Sequence, residues 1–336
     1  MGPRLRVAIA ILATAAAALA CSAAAHGPRQ SQADPPDVVL LTADCASGNL
    51  ACEPFVRAAR RTGARARIVS PDAREDIAGT LSLLARQGHD LIVTDFQFPR
   101  ELGRVAPRFP RVRFALFDAP LLLVDGTPRN VAAVVIRPNE AAYLAGWLAA
   151  RMERSRRGPD VVGVVGGEAI PPVQDFVLGF RAGALAASPR ATVLVGYSND
   201  FTDPTRCAAV ARRQIARGAG VVFDVAGGCG PGTLAAAKAA GVWAIGVDED
   251  RAGVGPHILT SVVKRYDRAM AFLMRGAASG RLALGRTTAI GLRAGGAELG
   301  RISRRVPAGV LAGLAAVRAR VVSGRVRVPG VTIPPP

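Results

Sequence analysis

The sequence predicts an α/β protein of two lobes, each a parallel sheet covered by helices on both faces. Three observations carry this. Short apolar runs alternate with amphipathic stretches from residue 38 onward, as repeated strand–helix units require. Some ten such strands are legible, which favours two sheets over one. The 336 residues also amount to about two domains at ~150 residues each. An Arg-Pro break at residues 137–138 separates the halves.

The elements follow in order. Residues 38–42 (VVLLT) read as a buried strand, and residues 54–61 as a helix. A strand at 66–69 precedes a helix at 75–87, where Ile77, Leu81 and Leu84 recur at helical spacing. Strands at 91–94, 114–117 and 131–136 lead to a helix at about 139–153, for which Asn139 is the expected N-cap. Four more strands (161–165, 192–197, 221–224, 243–247) enclose helices near 173–187, 205–217 and 233–240. A strand at 258–264 and a helix at 267–279 complete the pattern.

The first segment reads as an address. Arg4 and Arg6 precede an apolar, uncharged stretch of 14 residues at 7–20, too short for a membrane span and suited to a signal-peptide core. Ala18-x-Ala20 fits ordinary signal-peptidase cleavage, whereas a small residue directly before Cys21 resembles a bacterial lipobox with Cys21 lipid-modified. Both readings place the mature chain outside the cytoplasm. Setting Cys21 aside leaves Cys45, Cys52, Cys207 and Cys229, an even number in an oxidising compartment. No C-x-x-C pair occurs and His26, His89 and His257 are dispersed, which argues against zinc. Four cysteines allow three pairings. Topology favours the local one, Cys45–Cys52 with Cys207–Cys229, because strand carboxyl ends and helix amino ends share one edge of a parallel sheet.

The net charge of +18 invites a nucleic-acid reading, but only Lys238 and Lys264 of the 43 basic residues are lysine. The arginines are scattered along most helices and, with alanine and glycine also abundant, fit a GC-rich coding bias and not a binding patch. Half the residues are hydrophobic and 20% charged, which excludes a disordered chain.

Ligands of open α/β sheets bind beyond the carboxyl ends of strands. Those positions hold Asp44, Asp95, Asp118, Glu168, Asp200 with Phe201, Gly227 with Gly228, and Asp248-Glu249-Asp250. Acceptors around one cleft suit a hydroxyl-rich neutral or cationic solute; helix capping is the alternative for about half of them. Enzyme motifs fail. AGGCGPGT at 226–233 has P-loop glycine spacing, yet Thr233 stands where the phosphate-binding Lys belongs. There is no G-x-S-x-G elbow, and Asp44 is the one carboxylate after the first strand where a hydrolase metal site needs several. No enzyme, metal or cofactor is expected.

VVGGEAIPPV at 164–173, followed by Phe176 and GFRAG at 179–183, resembles the basic membrane protein (BMP) family of PnrA-like solute-binding lipoproteins. In order come GHDLIV (88–93), FALFD (114–118), EAAYLAG (140–146), FTDP (201–204), AGG (226–228), AIGVD (244–248) and LTSVVK (259–264). The resemblance spans about residues 38–300 and implies a type I periplasmic-binding-protein fold, two Rossmann-like lobes closing on a solute delivered to an ABC permease. It implies lobe 1 from residues 37–137 with about 249–290, and lobe 2 from 138–248 with about 291–328. Residues 1–20 are then the signal peptide, 21–36 an exported linker tied to the membrane through Cys21, and 329–336 a disordered tail.

Carried over residue by residue, the resemblance implies a nucleoside site at Asp118, Phe201, Gly228, Asp248 and Lys264, with Phe176 beside them. Carboxylates and the lysine meet the ribose, and phenylalanines stack on the base. Core packing is the alternative for Phe201, and an ion pair with a cleft aspartate for Lys264. The departure is the first loop, ADCASGNLACEP at 43–54, which lacks the family's aromatic; Asp44 stands in for a family carboxylate. A sensory protein of the same fold, reporting solute without transport, is the second expectation. A repressor is not expected, since the N-terminus reads as a signal peptide and carries no helix-turn-helix before the first lobe.

Overall fold

The computed structural model describes residues 34–331 apart from 44, 46–49, 72–75 and 157. The signal peptide, Cys21, Asp44 and the last five residues of the expected tail therefore lie outside the described residues. The first half of the chain supplies β1 (Asp37–Leu41), α1 (Cys52–Thr62), β2 (Arg65–Val69), α2 (Ile77–Arg86), β3 (Leu91–Asp95), α3 (Pro99–Val105), β4 (Phe114–Phe117) and β5 (Val131–Ile136). Next come α4 (Asn139–Arg154), β6 (Val161–Gly166), α5 (Pro171–Ala187), β7 (Thr192–Tyr197), α6 (Pro204–Ala216) and β8 (Val221–Val225). The chain continues through α7 (Pro231–Ala240), β9 (Trp243–Asp248), β10 (Ile258–Lys264), α8 (Tyr266–Ala278), β11 (Arg286–Ile290), β12 (Ala297–Leu299) and α9 (Ala308–Val322).

The strands form two six-stranded sheets, ordered β11-β5-β4-β3-β1-β2 and β12-β10-β9-β8-β6-β7. All pairings are parallel except β12 against β10. The central strands are near-continuous apolar runs because helices cover both faces; β1, β3, β4, β6 and β8 are buried almost throughout. Pro occupies the first turn of α3, α5, α6 and α7, where its missing N–H costs nothing. Asp203 caps α6 by accepting from the Thr205 amide at 2.8 Å.

α4 and α5 approach so closely that glycine is required at the contact. A Cβ on Gly179 would run into the Asn139 carbonyl, and one on Gly183 into the Tyr143 carbonyl. Phe180, between them, stacks on Phe223 of β8 at 5.2 Å.

Three expectations are corrected. The sequence reading puts β10 in lobe 1 with residues 249–290, whereas it pairs with β9 from Ile258↔Ala244 to Val263↔Asp248. Its apolar side chains are buried on both faces, which a second-sheet interior satisfies. The chain returns to the first sheet only after Lys264, through α8 and β11. Asn139 is not an N-cap: it is the first residue of α4, and its side-chain amide donates to the Val328 and Pro329 carbonyls. Residues 329–331, the described part of the expected tail, are held in place: the Val331 N–H donates to Asp175 Oδ1 at 2.7 Å.

Both local disulfides are formed, Cys45–Cys52 and Cys207–Cys229. The second pair is completely buried at the carboxyl edge of the second sheet.

Candidate functional site

A cavity of about 500 Å³ opens where the ends of β9 and β10 face the first turns of α1 and α8. The Cys45–Cys52 disulfide, Glu53 and Arg57 of α1 line it together with Tyr266 of α8, Asp248 of β9 and Lys264 of β10. These elements converge because helices of βα units begin at the edge where strands end.

Asp118 and Asp248 occupy equivalent places in the two sheets. Asp118 directly follows β4 with φ 57°, and Asp248 ends β9 with φ 63°. This left-handed backbone is costly for a residue with a Cβ and recurs at functional sites, where the surrounding structure imposes it.

Their partners differ. Lys264 Nζ lies 2.7 Å from Asp118 Oδ2, and the Ile136 amide donates to Asp118 Oδ1 at 3.2 Å. The ammonium also stands 5.6 Å from the Tyr266 ring and 5.9 Å from that of Phe176. Among the described residues, no donor reaches the Asp248 carboxylate by a hydrogen bond or an ion pair.

The electrostatics follow from this arrangement. Burial raises the pKa of Asp248; Lys264 opposes the rise and Asp118 adds to it. Burial works against the Lys264 charge, but Asp118 and Asp248 outweigh it and hold the pKa above the ordinary lysine value. Tyr266 is kept a neutral phenol by burial and by the carboxylates of Asp248 and Asp118. Behind the cavity, burial pushes Asp224 on β8 up to about 7, with Asp248 contributing in the same direction.

The structure thus brings Asp118, Asp248 and Lys264 together, the last two on the cavity wall. Phe201 and Gly228 form a separate cluster on the same sheet edge. The Phe201 ring packs over Gly167, and its carbonyl accepts from the Cys229 amide at 2.9 Å and sits against Gly228. Phe176 is a core residue, buried against Phe223 at 6.2 Å, with its ring turned towards the Lys264 ammonium. Sequence reasoning missed Tyr266, Arg57 and Arg265. Tyr266 stands two residues past a candidate lysine at a strand end; Arg57 and Arg265 carry no signal in a chain so rich in arginine.

Among the described residues there is no cluster of His, Cys, Asp and Glu fit to hold a metal ion, and no helix long and apolar enough to cross a membrane.

The model of the Bmp family, described as "ABC transporter substrate-binding protein PnrA-like", matches residues 43–329. The chain belongs to the PnrA-like family of ABC transporter substrate-binding proteins. It is 29% identical to a CD4+ T-cell-stimulating antigen of Listeria monocytogenes over 272 residues, 76% of this chain and 74% of that protein. It is 26% identical to the ABC transporter nucleoside-binding protein BmpA of Lactococcus lactis, over 64% of each chain. Among solved structures, an ABC transporter solute-binding protein from Conexibacter woesei superposes with a TM-score of 0.68 at 26% identity, covering 88% of this chain and 99% of that one. The fold is that of the periplasmic binding proteins. Membership of the PnrA-like family makes the ligand a small molecule and the partner a permease. The family is one of substrate-binding proteins, and the Conexibacter neighbour is a solute-binding protein; such proteins are not enzymes.

Proposed function

We propose that this protein is the extracytoplasmic, lipid-anchored receptor of an ABC importer, and that it binds a nucleoside in the cavity beside Asp248 and Lys264. The observation that carries this reading is the Asp248 carboxylate, which lines the cavity and lacks a hydrogen-bond donor among the described residues. A half-buried carboxylate facing a cavity keeps its acceptor capacity for a ligand, and vicinal hydroxyls supply two donors to one carboxylate. The name of the Lactococcus relative supports a nucleoside as that ligand. Phe201 and Gly228, on the same sheet edge but outside the lining of this cavity, are carried in this reading as the base side of the site.

Calorimetry with a nucleoside panel on ligand-stripped protein tests this. Asp248→Ala is expected to weaken the preferred nucleoside by about ten- to a thousandfold, at ~1.5–3 kcal/mol per charged hydrogen bond. Absence of binding by every nucleoside overturns the solute. Unchanged affinity in Asp248→Ala overturns the placement of the site. The anchor is tested by detergent partitioning: wild type enters the detergent phase and Cys21→Ser does not.

A further inference from the structure

The three segments that cross between the sheets are tied to one another. The Arg137 amide donates to the Ile290 carbonyl at 3.0 Å, and the Arg265 amide to the Gly296 carbonyl at 2.7 Å. The Leu292 amide donates to Glu140 Oε2 at 2.9 Å. Any relative motion of the lobes must be absorbed by backbone rotations in these few residues.

Residues 328–331 are fastened to the first of these crossovers. After α9 the chain runs back over the amino ends of α4 and α5. Asn139 Nδ2 donates to the Val328 carbonyl at 3.4 Å and to the Pro329 carbonyl at 3.1 Å. The Val331 amide donates to Asp175 Oδ1. The same carboxylate receives Arg137 as a fork, Nε to Oδ2 at 2.7 Å and Nη2 to Oδ1 at 3.1 Å. Gly330 fits between them with no room to spare: a Cβ there would lie 2.6 Å from Asp175 Oδ1 and 2.7 Å from Asn139 Nδ2, and would strike the Arg137 guanidinium. Asp175 and Asn139 are both buried, so these are not the frayed contacts of a surface terminus.

We infer that residues 328–331 form a strap that clamps the first crossover, through Arg137, Asn139 and Asp175, against α5 and so limits how freely the two lobes move about their hinge. Asp175 and Asn139 are positioning residues in this role and touch no solute. The strap also reaches the site indirectly. Asp175 precedes Phe176, over whose ring the Lys264 ammonium sits, so loosening the start of α5 loosens one wall behind that lysine. The inference concerns motion at the crossovers and holds whichever solute the cavity takes.

Amide hydrogen exchange on the ligand-free protein tests it. Two variants are compared with wild type: a chain ending after Arg327, and full-length Val331→Pro, which removes the N–H bonded to Asp175 and keeps the rest of the chain. Exchange at the Arg137 and Arg265 amides is expected to rise at least about tenfold in the shortened chain and about threefold in Val331→Pro. The Val222 amide, in the middle of β8, is expected to keep its wild-type rate in both. Unchanged exchange at Arg137 and Arg265, or a rise no greater than that of Val222, overturns the strap. If the shortened chain does not fold, the Val331→Pro result decides alone.

Discussion

Lys264 Nζ and Asp118 Oδ2, 2.7 Å apart, join the last residue of the second sheet's β10 to the residue just past β4 of the first. Both side chains are about 10% exposed, so this is a buried charge pair between the two sheets and not a surface contact. Removing one partner of such a pair strands the other without solvent. Lys264→Met is expected to destabilise the protein by about 3–5 kcal/mol, and Lys264→Met with Asp118→Leu to cost well under the sum of the single changes. Urea unfolding of the four proteins checks this; additive costs would show that the pair is not coupled.

The cavity is also expected to reject phosphate. Its cations are already engaged: Lys264 with Asp118, Arg265 with Asp267 and Glu298, and Arg57 with Glu53. Of the acidic groups lining it, Glu249 pairs with Arg251 and Asp250 with Arg301, whereas the Asp248 carboxylate has no ion-pair partner among the described residues and would meet a phosphate as like charge. A nucleoside 5′-monophosphate is therefore expected to bind at least about tenfold more weakly than its parent nucleoside, since like charges brought together cost affinity. Parallel titrations at constant ionic strength provide the measurement, and equal affinities would contradict it.

Asp224 makes stability depend on pH. Burial first, then Asp248, raise its pKa from 3.8 to about 7 in the folded protein. The folded state therefore holds a proton that the unfolded state releases, and stability falls as pH rises from about 4 to about 7. Asp248, also raised, has the same sign. Asp224→Asn keeps an acceptor for the Ala226 amide, which donates to Asp224 Oδ1 at 3.0 Å, and removes the ionisation. The variant is expected to show a flatter stability profile over that window and a relative gain above pH 7. A slope as steep as wild type would refute the assignment.

The two disulfides should part company under reductant. Cys45 is exposed, whereas Cys207 and Cys229 are fully buried. Mild thiol treatment followed by alkylation is expected to label Cys45 and Cys52 first. On the loop-entropy model, losing Cys207–Cys229, with its separation of 22 residues, costs about 3 kcal/mol; losing Cys45–Cys52, with a separation of 7, costs about 2.5. Labelling in the reverse order would contradict the burial pattern.

The α4–α5 contact predicts a severe single-methyl effect. Gly183→Ala drives a Cβ into the Tyr143 carbonyl, which belongs to a helix and has little freedom to retreat. A loss of about 1–3 kcal/mol or more is expected on thermal unfolding. Gly309→Ala, on α9 with open space around it, serves as the neutral control.

Much of the fold was legible in the sequence. Runs such as residues 91–94 and 221–224 are buried on both faces, so their apolar character is set by one strand's own surroundings. The elements without a legible pattern are those that neighbours define. β11 is an edge strand with only Ile290 buried, and β12 is three residues long and closes the second sheet by pairing antiparallel to β10. α9 buries only Val310, Leu314 and Val321 although apolar residues cover most of its surface, so its periodicity is blurred.

The sequence by itself determined the alternation of strands and helices and the acidic strand ends, because each depends on residues close in the chain; it favoured the local cysteine pairing among three, and the structure forms it. Only the tertiary structure decided how those ends are used. Asp118 and Lys264 are 146 residues apart, and both were candidates, but that one carboxylate is consumed by the lysine while Asp248 is left open depends on how the two sheets face each other. The same holds for β10, which sits beside β9 because its two buried faces need covered neighbours. It holds too for Asn139, whose capping chemistry is redirected to carbonyls 189 and 190 residues away. Local patterns record what one element requires of its surroundings; which distant group meets that requirement is set by packing.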